Sequence, residues 1–71
     1  MERILKVQVE AALENLRLVR GITAAYASEL DPTVEELTEI RTAVSEAFSN
    51  AVMHGYAGQL RGKVDLEFAL I

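Results

Sequence analysis

The stretch Leu30-Asp31-Pro32-Thr33-Val34-Glu35-Glu36-Leu37-Thr38-Glu39-Ile40 decides how this chain is organised. Pro32 cannot continue a preceding helix, because it lacks the amide that helix would need. Thr33 and Glu36 then stand at capping-box spacing, where each side chain can satisfy the other's free backbone amide. Glu35 and Glu36 also fall in a first turn, where the helix dipole favours negative charge. One helix therefore ends before Pro32 and another begins just after it. Downstream, Leu37, Ile40, Val44, Ala47, Phe48 and Ala51 recur at three- and four-residue steps and predict a core-facing stripe. This second helix is expected to end near His54, with Gly55 as a left-handed C-cap. Residues 56–62, which include Gly58 and Gly62, read as a loop. Upstream, residues 15–30 predict the first helix, with Leu16, Val19, Ile22, Tyr26 and Leu30 facing the core. Arg17, Arg20 and Ser28 fall mostly off that stripe. Gly21, inside the helix, costs about 1 kcal/mol relative to Ala; it either admits a close neighbour or is simply tolerated.

Working further outward, the spacing changes to two. Leu5, Val7 and Val9 alternate with Lys6, Gln8 and Glu10, and Val64, Leu66, Phe68 and Leu70 alternate with Lys63, Asp65, Glu67 and Ala69. Each run predicts a strand with one wet and one buried face. The order is strand, helix, helix, strand, an α+β arrangement within a single domain over residues 1–71. Two strands alone are marginal in water, so both helices should cover one face and further strands should extend the sheet. The last strand runs to Ile71 with no turn after it, and the chain reads as a domain cut short.

Composition excludes several classes. With 71 residues, 51% of them hydrophobic, the chain is too small for two domains and too apolar for disorder. It has no cysteine, which excludes a disulfide scaffold or thiolate metal site, and one histidine, which excludes a multi-histidine site. The net charge of -4 argues against a grip on nucleic-acid phosphates. No apolar run reaches the roughly 18 residues of a membrane span, and the N-terminus has no apolar signal core. A soluble, cytoplasmic chain is expected. The charge is also localised: residues 31–54 hold Asp31, Glu35, Glu36, Glu39 and Glu46 against Arg41 alone, which accounts for the whole -4.

Within that acidic helix, Glu46, Asn50 and His54 are spaced four apart and share one row. A carboxylate can act as a general base. An asparagine oxygen is a hard, neutral ligand that suits Mg²⁺, which takes few protein ligands and keeps waters and substrate phosphates. Together the two groups could serve phosphoryl transfer. The same spacing also arises on plain solvated helix faces, and spacing alone leaves both readings open. His54, beside the helix end, reads as a favourable dipole partner rather than a ligand or base.

The run Ser45-Glu46-Ala47-Phe48-Ser49-Asn50-Ala51-Val52-Met53-His54-Gly55-Tyr56 resembles the N box of the GHKL, or Bergerat-fold, ATPases. Its Ala, two apolar residues, His-Gly and Tyr look like the bacterial anti-sigma-factor kinases. Leu30-Asp31-Pro32-Thr33, with Glu36-Leu37-Thr38-Glu39-Ile40, resembles the SpoIIAB-type anti-sigma F factors of spore-forming bacteria. Asn15, Arg20 and Ala24-Ala25 extend the likeness, which covers nearly the whole chain and corresponds to that family's N-terminal half. The resemblance implies a partial two-layer Bergerat sandwich and a serine-protein kinase that also holds a sigma factor inactive. It implies phosphorylation of an anti-anti-sigma protein with ATP and Mg²⁺. The exposed strand edges separately predict self-association, as in a dimer. By the same resemblance, Glu46 would activate the substrate serine, Asn50 would hold Mg²⁺ at the ATP phosphates, and Arg20 would contact a protein partner.

This chain departs from the family in lacking the Asp-x-Gly-x-Gly box and the second glycine box and lid. The 71 residues alone are therefore not expected to bind ATP tightly or to catalyse transfer. A different reading needs no catalysis: a protein-interaction or dimerisation module acting through the first helix and open strand edges. A general-stress anti-sigma kinase or a histidine kinase is a third option, which the Asp-Pro-Thr start and His-Gly-Tyr end fit less well.

Overall fold

The computed structural model of the chain describes residues 3–55 and 62–70. The expected loop at 56–62 lies outside the described residues apart from Gly62. Strand β1 (Arg3–Glu10) is followed by a single 3-10 turn (Leu13–Asn15), helix α1 (Leu16–Ala27), a second 3-10 turn (Ser28–Leu30), helix α2 (Val34–Gly55) and strand β2 (Lys63–Leu70). The architecture is α+β, with β1 and β2 forming a two-stranded antiparallel sheet among the described residues.

Period-two alternation sets the register. Leu5 faces Phe68, Val7 faces Leu66 and Val9 faces Val64 on the half-buried side. On the exposed side Lys6 faces Glu67, Glu10 faces Lys63, and Gln8 donates to Asp65 Oδ1 at 2.9 Å. A one-residue slip would turn each apolar set to water, so register is strongly specified. At the inner end of the sheet the Ala11 amide donates to the Gly62 carbonyl at 2.9 Å, and Asn15 Nδ2 donates to the Glu10 carbonyl at 2.9 Å. At the other end the Tyr26 hydroxyl donates to the Arg3 carbonyl at 2.6 Å, and its ring lies 5.8 Å from that of Phe68. Arg3 adds an ion pair with Glu29 at 3.1 Å and sits 6.0 Å from the Tyr26 ring centre. The hydrogen bond that Arg3 donates to Glu29, then the charge of Glu29, raise the Arg3 pKa. These contacts fasten the end of α1 to the start of β1.

The turn between the helices forms as its residues dictate. Asp31 takes a left-handed conformation (φ 53°), which aspartate tolerates better than most side chains, and its amide closes on the Ser28 carbonyl at 3.0 Å. The Thr33–Glu36 capping box is made in both directions: the Thr33 amide donates to Glu36 Oε1 at 2.9 Å, and the Glu36 amide donates to Thr33 Oγ1 at 3.1 Å. The Thr33 amide, followed by its hydroxyl, holds the Glu36 carboxyl below its ordinary pKa.

The core departs from the expected stripes in an instructive way. Val19 and Phe48 are each 1% exposed, and Ala27 and Thr23 join them. Leu30, expected inside, is 64% exposed, because the helix tightens into a 3-10 turn from Ser28 and rotates it outward. Thr23 takes the inward place instead; its hydroxyl donates back to the Val19 carbonyl at 2.8 Å, so the buried oxygen is satisfied. On α2 the inward row is Leu37, Arg41, Val44, Phe48 and Ala51, while Ile40 and Ala47 are exposed. Ile40 and Ala47 stand one residue, about 100° of helix rotation, off that row. Gly55 is the final residue of α2 rather than a left-handed cap; its φ lies outside the left-handed region, and an added Cβ would meet nothing within 4 Å. Glycine adopts helical dihedrals as well as left-handed ones.

Candidate functional site

Helix α2 positions Glu46, Asn50 and His54 on one exposed row, as the four-residue spacing requires. Phe48, buried on the opposite side, fixes which face that row presents. Glu46 and Asn50 line a shallow depression of about 360 Å³ together with Ser45 and Ser49. The Ser45 hydroxyl is committed to the Arg41 carbonyl at 2.6 Å, so it helps shape the depression without offering a free donor there. Glu46 and Asn50 make no side-chain hydrogen bond or ion pair among the described residues. One carboxylate and one amide oxygen thus stand a helical turn apart and free to receive a ligand. His54 is exposed in the last turn of α2 and does not line the depression, in keeping with a role at the helix dipole.

Arg20 occupies a different place. It is exposed on α1, beside a concavity of about 550 Å³ that it shares with Arg17, Gly21 and Arg41. Sequence reading singled out Arg20 alone. Arg17 was visible as its i−3 neighbour, and Arg41 as a basic residue on an otherwise apolar stripe at 37, 44, 48 and 51. A groove between α2 and β2 is lined by Val44, Ala47, Phe48, Ala51, Leu66 and Phe68, beside the outer edge of β2.

The pair Glu46 and Asn50 can hold a hard cation only in part. Among the described residues no three His, Cys, Asp or Glu side chains converge on a metal position. One amide oxygen with one carboxylate nearby fits Mg²⁺, whose remaining ligands are usually water and substrate phosphate. No helix among the described residues is long and apolar enough to cross a membrane.

Comparison with known proteins shows the family of the chain. Residues 9–70 match the family profile described as "Histidine kinase-like ATPase domain". The chain is 44% identical over 70 residues to the anti-sigma F factors of Bacillus thuringiensis (strain Al Hakam), Bacillus mycoides (strain KBAB4) and Bacillus cereus (strain AH187). Each match covers 99% of this chain and 48% of the relative, so the chain spans about half the length of these curated relatives.

Proposed function

Since the chain belongs to the histidine kinase-like ATPase domain family, with anti-sigma F factors among its relatives, we propose that it supplies the N-box half of an anti-sigma factor that is also a serine-protein kinase. The observation that carries this is the exposed Glu46–Asn50 pair in one depression on α2. Glu46 accepts the proton of the substrate serine hydroxyl, and Asn50 would offer its side-chain oxygen to a Mg²⁺ ion bound with the nucleotide. Bound Mg²⁺ would neutralise phosphate charge as the phosphoryl group moves. Phe48 and the capped start of α2 hold the two side chains at a fixed rotation, which supplies positioning.

The protein substrate is an anti-anti-sigma protein, the sequestered partner is a sporulation sigma factor, and Arg20 contacts a partner. The setting is the cytoplasm, where both partners would act. The 71 residues alone bind ATP weakly, because they carry no Asp-x-Gly-x-Gly box; calorimetry giving micromolar affinity would contradict this. The decisive experiment substitutes Glu46→Gln in the longest chain carrying this segment and measures phosphoryl transfer from labelled ATP. Transfer should be abolished while nucleotide binding persists. Loss of nucleotide binding instead would assign Glu46 the wrong role.

A second reading is favoured by the sheet edges that no other strand covers among the described residues, and by the apolar groove beside β2. Here the chain associates with a second copy, as edge strands readily do. Sedimentation giving only monomer at high concentration would exclude it.

A further inference from the structure

Ser45 stands immediately before Glu46 on α2 and lines the same depression. Its hydroxyl donates to the Arg41 carbonyl at 2.6 Å, one turn back. Regular helix geometry assigns that same carbonyl to the Ser45 amide. A hydroxyl bonded back in this way competes for the carbonyl, weakens the helix slightly and bends it. Burial does not force the bond. Ser45 is only part-buried, whereas Thr23, which makes the equivalent bond on α1, is 1% exposed and needs it. Serine also forms helix less readily than alanine, so the position gives up stability.

The place of the bond along α2 is the second observation. It spans the turn between Arg41 and Ser45, and the next turn carries Glu46, Ser49 and Asn50 around the buried Phe48. A bend there sets how that turn is aimed against the part of α2 before it. Another back bond, from the Thr38 hydroxyl to the Val34 carbonyl at 2.9 Å, lies two turns earlier. Residues 34–40 are exposed apart from the half-buried Leu37, so a bend at Thr38 swings only the start of the helix.

We propose that Ser45 is a positioning residue for phosphoryl transfer: its bond to the Arg41 carbonyl aims the turn that bears Glu46 and Asn50, and so sets the reach of the Glu46 carboxylate to the substrate hydroxyl. The proposal rests on the kinase reading and adds a residue that acts through Glu46 rather than on the substrate. Transfer is sensitive to such aim, since a misplacement of about 1 Å costs about a hundredfold in rate. The bend from one hydroxyl is smaller than that, and its loss should cost about tenfold.

The test uses the longest chain carrying this segment, with saturating labelled ATP and the anti-anti-sigma protein of the same genome as acceptor. Ser45→Ala and Ser45→Val should each lower kcat about tenfold. Ser45→Thr, which has the shape of valine but keeps a hydroxyl able to bond back, should restore most of it. The urea midpoint of Ser45→Ala should stay at or above that of wild type, because alanine is the better helix former. Activity and stability therefore move apart, which loss of a merely structural contact would not produce. Thr38→Val should leave kcat unchanged. Wild-type kcat in Ser45→Ala, equal kcat in Ser45→Val and Ser45→Thr, a urea midpoint that falls together with kcat, or an equal loss in Thr38→Val would each overturn the proposal. A wild-type chain that transfers no phosphate removes the kinase reading and the proposal with it. Wild-type transfer that is indifferent to Ser45 removes the proposal alone.

Discussion

Replacing Phe48 with alanine tests the packing on which the candidate site depends. The side chain is 1% exposed and is the largest fully buried one among the described residues. Truncating a fully buried phenylalanine costs about 3–5 kcal/mol through lost transfer energy and the cavity left behind. A chain of this length has a total stability of roughly 3.5–10 kcal/mol at the usual per-residue value. Phe48→Ala should therefore remove between a third and all of it. With a urea m-value of about 1 kcal/mol/M for so small a domain, the midpoint should fall by about 4 M. Phe48→Leu keeps most of the volume and should cost about 1 kcal/mol, which leaves a measurable transition. The assay is urea denaturation followed by circular dichroism at 222 nm (a wavelength of about 220 nm suffices), fitted with a shared m-value. A Phe48→Ala loss under about 1 kcal/mol would refute the burial argument and, with it, the fixed rotation of the Glu46–Asn50 row.

Thr33→Ala should lower stability by about 1 kcal/mol, read by the same titration, since it removes one arm of the capping box. Glu36 has a depressed carboxyl pKa in the folded chain, so its stabilisation is present above the unfolded carboxylate pKa and is lost as pH falls through the folded one. Wild type should accordingly lose more melting temperature than Glu36→Gln between about pH 6 and about pH 3. Gly21→Ala should raise stability by up to about 1 kcal/mol, because the position is open and helical; a loss would show that the helix interior needs glycine. Tyr26→Phe should cost about 1 kcal/mol by removing the hydroxyl bond to the Arg3 carbonyl while keeping the ring against Phe68, as thermal melts can show.

The elements legible in the sequence were those governed by local rules. Strand alternation, the Pro32 break and the Thr33–Glu36 cap each depend on residues close in the chain, and each stands in the structure with its expected partners. The proximity of Glu46 and Asn50 was equally legible, because helix geometry alone brings them together. Features that depend on how two elements cross were not. Thr23 looks polar until its hydroxyl is seen turned back on Val19, and Leu30 looks apolar until the 3-10 turn swings it out. Arg41 meets Arg17 and Arg20 only because α2 packs against α1, and no spacing within either helix encodes that meeting.

The pairing of Glu10 with Lys63 has a consequence for how the chain folds. The two strands resemble a hairpin whose connection is residues 11–62, a segment that contains both helices. Closing a loop of that length costs about 2 kcal/mol more entropy than closing a four-residue hairpin, if the segment is flexible. The helices face no such barrier, since only residues 28–33, half of them in a 3-10 turn, separate them. A helical pair that forms early brings the strand ends together before any ladder bond is made. Substitutions at the α1–α2 turn should then slow folding, and substitutions along the strands should mainly hasten unfolding.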